Sequence, residues 1–478
     1  MRGRAPVCAV GLGYPLGRSL GTWRGGANGM HILIVGGGLV GSTLAEKLSS
    51  DGHDVSLVDG DPAKVRELSD SLDVRLVEGN GATAPVLRRA GIEEADLVIA
   101  TSNSDEVNMI VGLLASSLFH VSRIVVRLRD PDHAEAFALI NQANPIEHVC
   151  VNPEEAAVHR ISSLLEVPGA VDVVSFLQDK LHVAGFRIHE GSDFVGLRVS
   201  EMNLLFADSP TLAVAIERGD DWLIPHGGEV IRAGDLVYFA ISSEHMEGVL
   251  DLVGVLKDKR QNVMIAGATR IGLELARRLK TRQGKVVLIE EDEERARAAS
   301  DELSETTVIN GSVTSQSLLE EEDIDRVSTF VAVTEDHETN LVSGLLAKRL
   351  GAGRAVVLVD NPDLVSLVGQ LGIDAIISPR VLVIGIIMEH VLGGRVRSVA
   401  QLLEDRVEIV EAEVAPRSPL TAGPLSELKI PRGVLVAALY RGDQLLVPRG
   451  SDRAEAGDRV LLITTTDDEP KLARFLRE

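Results

Sequence analysis

Cysteine is nearly absent from this chain: Cys8 and Cys150 are the only two in 478 residues. That excludes a disulfide framework and any cysteine-built zinc site, and it points to a reducing, cytoplasmic setting. Aromatic residues make only 3% of the chain against 45 glycines, which suits tight βα turns on aliphatic strands and disfavours base-stacking surfaces. Positive charge is in deficit, 48 Lys and Arg against 71 Asp and Glu, and a net charge of −23 repels phosphate backbones and anionic headgroups. Nucleic acid is therefore a poor partner. No apolar run approaches the roughly 18 residues that span a bilayer; the richest, 381–388, stops at Glu389. Any service to a membrane would come from outside it. Histidines occur singly and no H-E-x-x-H is present, so no metal is assigned. His53 and His337 read as surface residues.

With 45% hydrophobic and 25% charged residues, the composition is that of a folded globular protein, and the length predicts about three or four domains. Residues 1–29 hold four arginines, no acidic residue and no apolar period; they read as a leader or a start placed upstream of Met30, with a transit peptide as the functional alternative. Within them, 17–21 matches the nucleophile-elbow spacing by chance, since no strand precedes it and no helix follows.

Residues 31–35 read as a buried parallel strand, followed by Gly36, Gly38 and Gly41 in the G-x-G-x-x-G spacing and by a helix over 42–50. Gly36 permits the turn, Gly38 lets backbone approach a pyrophosphate, and Gly41 allows close packing of helix on strand. The helix amino terminus would face the phosphates. A second strand, 55–58, ends at Asp59, where a carboxylate accepts hydrogen bonds from ribose hydroxyls. Ser42 stands where a P-loop would have lysine, which disfavours ATP hydrolysis by that route.

The unit recurs. Gly267, Thr269 and Gly272 follow the strand 262–266, and 286–289 ends at Glu290, so that Gly36 to Asp59 and Gly267 to Glu290 both span 23 steps. Gly79 pairs with Gly311, and the stretch 100–108 pairs with 332–340. Thr269 places a Cβ where a pyrophosphate would approach, and Leu358 replaces Arg127, whose guanidinium could reach a phosphate. The first copy is the better site.

After each unit come short strands with turn signals, and these repeat as well: Gly219 and Gly442, and Gly234 and Gly457, lie 223 apart. Helical connections are predicted at 152–165 and 379–392, the second apolar all round and hence a buried crossover or domain contact. The fold class is α/β: duplicated Rossmann-type doubly wound parallel sheets, each followed by a small α+β domain. The domains run 30–150, 151–258, 259–378 and 379–478. The acidic runs 290–294 and 320–323 read as solvated helix starts.

These motifs, with Asn80 beside Gly79, Thr101, Asn103, Asp105, Glu106 and Asn108, Arg127, Pro153 to Glu155, the repeat around Asn340 and Pro379, closely resemble the regulator-of-potassium-conductance family over 30–478. The resemblance implies a cytoplasmic peripheral subunit at the inner face of the membrane, assembled as a homo-oligomer, commonly a tetrameric ring. The ring would gate a Trk-type transmembrane potassium transporter, its one route to the membrane. It implies NAD or NADH, and ATP or ADP, as ligands. The turn residues Gly36, Gly38, Leu39, Val40 and Gly41 would face phosphates, Asp59 the ribose, Asn80 and Thr101 the adenosine side, and Arg127 a phosphate. In the second copy, Gly267 and Glu290 would keep part of that role.

An NAD-dependent oxidoreductase is the alternative, because a Rossmann unit alone indicates a cofactor and not a purpose. Hydride transfer needs a general acid or base over the nicotinamide, and the small domains are poor in such groups. No catalytic residue is assigned. A third possibility, an NAD-sensing repressor or scaffold, meets the charge of −23 as an obstacle to DNA contact.

Overall fold

The computed structural model describes residues 29–141, 146–206, 211–219, 221–253, 262–279, 284–361, 364, 372–392, 396–402, 407–431, 433–442 and 444–465. Residues 1–28, including the 17–21 stretch, lie outside the described residues.

The first sheet comprises β1 (His31–Val35), β2 (Asp54–Asp59), β3 (Arg75–Glu78), β4 (Leu97–Ala100), β5 (Arg123–Arg127) and β6 (Glu147–Val151), all parallel in the order β3-β2-β1-β4-β5-β6. Its central strands are aliphatic because helices cover both faces of such a sheet. The helix Leu39–Ser50 turns Val40, Leu44, Ala45 and Leu48 inward and ends at Gly52, whose φ of 85° needs glycine. Val35 pairs with both Val58 and Ala100, so the strands end level and their following loops share one edge.

The small sheet that follows comprises β7 (Asp172–Phe176), β8 (Leu181–Arg187), β9 (Thr211–Arg218), β10 (Asp221–Leu223) and β11 (Leu236–Ser242), ordered β10-β9-β11-β8-β7 and antiparallel. A second parallel sheet repeats the first with β12 (Asn262–Ala266), β13 (Val286–Glu290), β14 (Thr307–Asn310), β15 (Val327–Ala332), β16 (Arg354–Leu358) and β17 (Ala375–Ile377). Last come β18 (Val396–Leu402), β19 (Val407–Glu413), β20 (Val434–Arg441), β21 (Gln444–Leu446) and β22 (Arg459–Thr465), again antiparallel.

Two compact units cut across this chain order: 1–156 with 379–392, and 157–378 with 393–478. In the first unit the apolar helix Pro379–Leu392 lies against the first parallel sheet, where Val383, Ile387, Met388 and Val391 share a core with Ile32, Leu44, Leu48 and Leu57. In the second, the connecting helix Pro153–Glu166 is tied from Ala157 onward to the second parallel sheet: the buried Arg354 donates to the carbonyls of Leu164, Val167 and Ala170. The two small sheets share one apolar cluster, with Phe176, Leu181 and Tyr238 meeting Val407, Ile409, Leu461 and Ile463.

Three expectations need correction. Of the run 290–294, residues 291–294 lie exposed at the start of the helix Glu293–Glu302, capped by Asp292, but Glu290 is not solvated: it ends β13 and is 4% exposed. Glu320 and Glu321 close the helix Gln316–Glu321 instead of opening one, because Ser315 is its N-cap. His53 and His337 are half-buried, and His53 Nδ1 accepts from Met30 N, which orders the entry to β1.

Candidate nucleotide-binding site

In the order β3-β2-β1-β4-β5-β6 the chain reverses direction between β1 and β4, so a crevice opens beyond their carboxyl ends, the place where ligands sit in such sheets. The level strand ends bring the glycine turn after β1, Asp59 at the end of β2, Asn80 after β3, Thr101 after β4 and Arg127 at the end of β5 to that edge.

The three glycines have different reasons. Gly36 has φ 108°, and a Cβ there would lie 2.7 Å from Ser102 N. At Gly41 a Cβ would lie 1.8 Å from the Gly36 carbonyl. Both are required by the turn itself. Gly38 has ordinary backbone angles, and a Cβ there would meet nothing within 4 Å. Among the described residues no packing explains it; open space in front of the helix does. Gly38 is also the N-cap of the helix Leu39–Ser50 and brings no side chain to it, so the first-turn amides of Leu39, Val40 and Gly41 have neither intrahelical acceptors nor a cap.

Asp59 is half-buried, with Oδ2 accepting from Gly37 N at 2.6 Å and Oδ1 from Asp61 N at 2.8 Å. Each oxygen keeps a lone pair. Thr101 is 3% exposed, and its hydroxyl has no hydrogen-bond partner among the described residues. An ideal Cβ on Gly41 would stand 3.2 Å from that hydroxyl, which places Thr101 beneath the glycine turn. Asn80 is exposed and its Oδ1 accepts from Ala82 N at 2.9 Å. Arg127 is half-buried, at the rim formed by β5.

Asn108 holds this edge together and was assigned no role from sequence. It is fully buried; its Oδ1 accepts from Ser102 N and Ser102 Oγ at 2.8 Å, and its Nδ2 donates to the carbonyls of Ser102 and Arg127 at 3.0 and 2.9 Å. Asn340 repeats the pattern with Thr334 and Leu358. A repeated asparagine was the available signal.

The second crevice has the same frame with different contents. Thr269 Oγ1 donates to the Val333 carbonyl at 2.8 Å and accepts from Gly272 N at 3.3 Å, so the helix start after Gly267 is capped by its own chain. Glu290 is enclosed by Ala268 N at 2.7 Å, Asp292 N at 3.0 Å and Arg295 Nη2 at 3.4 Å. Val333 stands where the first copy has Thr101.

Comparison with known proteins fits this geometry. The TrkA-N domain model matches 32–149 and 263–379, and the TrkA-C domain model matches 183–254 and 409–477. The Trk system potassium uptake protein TrkA of Azorhizobium caulinodans is 34% identical over 453 residues, 94% of this chain and 99% of its own. That of Vibrio alginolyticus is 35% identical over 438 residues, 91% and 95% of the two chains. Among solved structures, the GsuK RCK domain aligns with TM-score 0.59 and 22% identity over 94% of this chain and 95% of its own. A GsuK channel bound to NAD aligns with TM-score 0.58 and 21% identity over 94% and 79%. No described helix is long and apolar enough to cross a membrane. With two TrkA-N and two TrkA-C domains and full-length relatives above 30% identity, this chain belongs to the family of Trk system potassium uptake proteins TrkA.

Proposed function

We propose that this protein is a nucleotide-responsive regulatory subunit of a Trk-type potassium uptake system, with no turnover of its own. The observation that carries the ligand half is the open, uncapped helix start at Gly38 beside Asp59 and the unpartnered Thr101 hydroxyl. In this reading the amides of Leu39, Val40 and Gly41 take the phosphates, Asp59 the ribose, Thr101 and Asn80 the adenosine side, and Arg127 adds charge at the rim. NAD(H) is the favoured ligand, since Asp59 suits a free ribose hydroxyl and a structural neighbour is a channel bound to NAD. ATP and ADP share the adenosine and phosphate chemistry. The second crevice, capped by Thr269, stays empty of dinucleotide. The names of the relatives support a potassium transporter as partner. Assembly as a ring at the inner membrane face, with ligand favouring one ring shape by differential affinity, completes the proposal.

The test is calorimetric titration of the full chain with NAD, NADH, ATP and ADP, beside Asp59→Ala, with cofactor turnover assayed on the same samples. One saturable site per chain, weakened at least about tenfold in Asp59→Ala and with no product, supports it. Steady oxidation of NADH would indicate an oxidoreductase instead.

A further inference from the structure

Within the second unit, the connecting helix Pro153–Glu166, the β7–β8 hairpin and the end of the helix Arg270–Leu279 leave a cavity of about 370 Å³ between them. Small-molecule sites occupy about 300 to 1,000 Å³. Its wall is polar, with His159, Ser162 and Glu166 from the helix, Asp179 and His182 from the hairpin, and Arg278 opposite.

Some of these groups are already bonded. The Ser243 hydroxyl donates to the Asp179 carbonyl, so toward His182 Nε2, 2.9 Å away, it can only accept. Nε2 therefore carries the proton, and Nδ1 accepts from Ser175 Oγ at 3.0 Å. Arg278 Nε donates to Glu274 at 3.0 Å. Others are not: the Ser162 hydroxyl is buried without a partner, and the His159 ring and the carboxylates of Glu166 and Asp179 make no hydrogen bond or ion pair among the described residues. Of these only the Ser162 hydroxyl is buried, at a cost of about 1–3 kcal/mol; Glu166 and Asp179 are exposed and their carboxylates meet solvent.

The second half of the chain shows that the fold does not demand this cost. Aligned from Pro153 and Pro379, the buried series Val158, Ile161 and Leu165 becomes Ile384, Ile387 and Val391, while His159 becomes Gly385 and Ser162 becomes Met388. Met388 is packed in an apolar core. The first copy keeps the corresponding seam polar and hollow.

The charge on the wall selects the ligand. Burial holds both imidazoles toward their neutral form; Asp179 and Glu166 pull the other way on both, and Arg278 and Arg160 reinforce burial at His159. Two carboxylates then face one guanidinium that is itself paired with Glu274, which disfavours phosphates and other anions. No three His, Cys, Asp or Glu side chains among the described residues are grouped to hold a metal ion. The wall groups without a protein partner are mostly acceptors, two of them exposed carboxylates, a pattern that favours a cation carrying several N–H donors.

We infer that this cavity binds a small organic ammonium compound, an aliphatic amine or basic amino acid, through Glu166, Asp179 and His159. The site is independent of any nucleotide at the glycine turn. Its floor is also a junction: Leu177, Gln178 and Asp179 all take left-handed backbone angles (φ 55°, 59° and 62°), and the same turn holds the second small sheet through Leu177 N to Glu411 at 3.0 Å and Lys180 Nζ to Tyr440 OH. Such a turn persists only where surrounding contacts impose it. A ligand on Asp179 would therefore bias the packing of the two small sheets.

The experiment is titration of the full chain, at neutral pH and fixed ionic strength, with putrescine, spermidine and L-lysine. Tetramethylammonium, which lacks N–H donors, and inorganic phosphate serve as controls. The expected result is saturable binding of at least one amine and none of the controls. Glu166→Gln and Asp179→Asn should each weaken it by about tenfold, and Ser162→Met, which imports the second copy's residue, should abolish it. Asp59→Ala should leave it unchanged. Should Ser162→Met fail to fold, the two exposed carboxylate variants decide. No saturable amine binding, tighter binding of phosphate, amine affinity indifferent to both carboxylate variants, or its loss in Asp59→Ala would each overturn the inference.

Discussion

Replacing Gly38 with threonine asks the first crevice to become the second one. Backbone angles at Gly38 (φ −67°, ψ −175°) are open to any residue, and the added Cβ meets nothing within 4 Å, so the fold should be untouched. The new hydroxyl can do what Thr269 does, accepting from the amide three residues on and donating to the carbonyl after β4. As an N-cap, threonine exceeds glycine by only a few tenths of a kcal/mol, so the melting temperature should hold or rise slightly. Binding should suffer much more. Losing one or two charge-assisted bonds from first-turn amides to a phosphate, at about 1.5–3 kcal/mol each, gives a loss near 3 kcal/mol. That is about a 150-fold rise in Kd for NADH. Calorimetry on wild type and Gly38→Thr, with a thermal melt of each, separates the two effects. A folded variant whose affinity stays within about threefold of wild type would refute phosphate binding at this helix start. A variant that loses affinity only together with stability would refute the claim that the space is open.

Asn108→Ala strips four hydrogen bonds from a fully buried site and should cost about 3 kcal/mol in urea denaturation while also weakening nucleotide binding, because Ser102 and the Thr101 segment lose their anchor. Asn340→Ala should cost about as much stability and leave nucleotide affinity alone; equal effects on binding would show that both crevices are used. Ile387→Ala should destabilise the unit containing the first parallel sheet by about 2–5 kcal/mol, read from hydrogen exchange of β1, since Ile387 is fully buried in its core. Burial lowers the pKa of His159 and His182 from 6.5, so the unfolded chain binds more protons below that pH. Their stabilising contribution is complete above pH 6.5 and is lost as pH falls through the lowered values. Denaturation midpoints taken across that window should decline less steeply in His182→Gln than in wild type, and parallel curves would contradict the assignment.

Much of the geometry of the first candidate site was legible because its signals are local. A buried strand, glycines at fixed offsets and a carboxylate at the end of the next strand all lie within one βα unit, and Thr269 and Leu358 stood out by alignment with the first copy. What was not legible depends on distant pairing. Nothing in the periodicity of Pro379–Leu392 says that its apolar faces join the core around β1, or that Arg354 reaches the carbonyls ending the other connecting helix. Glu290 was read both as a strand end and as part of a solvated run because a strand end and a helix start are adjacent in sequence, and only the hydrogen bonds separate its role from that of Asp292. Asn108 lay in plain view, but a buried amide satisfying four backbone and hydroxyl groups has no sequence signature. The contrast between Ser162 and Met388 was equally visible and acquires meaning only once a cavity stands beside one and a core around the other.

Duplication makes each half a control for the other. Where both copies share a feature, such as the Asn108 and Asn340 networks or the clashes that forbid a Cβ at Gly41 and Gly272, the frame itself requires it. Where they differ, the frame is indifferent and another constraint acts on one copy. Three differences survive that filter: Gly38 against Thr269, a half-buried Asp59 against an enclosed Glu290, and the polar seam at Ser162 against the apolar one at Met388. All three leave an opening in the first copy and close it in the second. One opening lies at a helix start that favours anions; the other, lined by residues of both halves, Arg278 among them, carries carboxylates that favour cations. Two such ligands need not share a charge, a site or a compact unit to act on one protein, since each shifts it only by its own differential affinity for the available shapes.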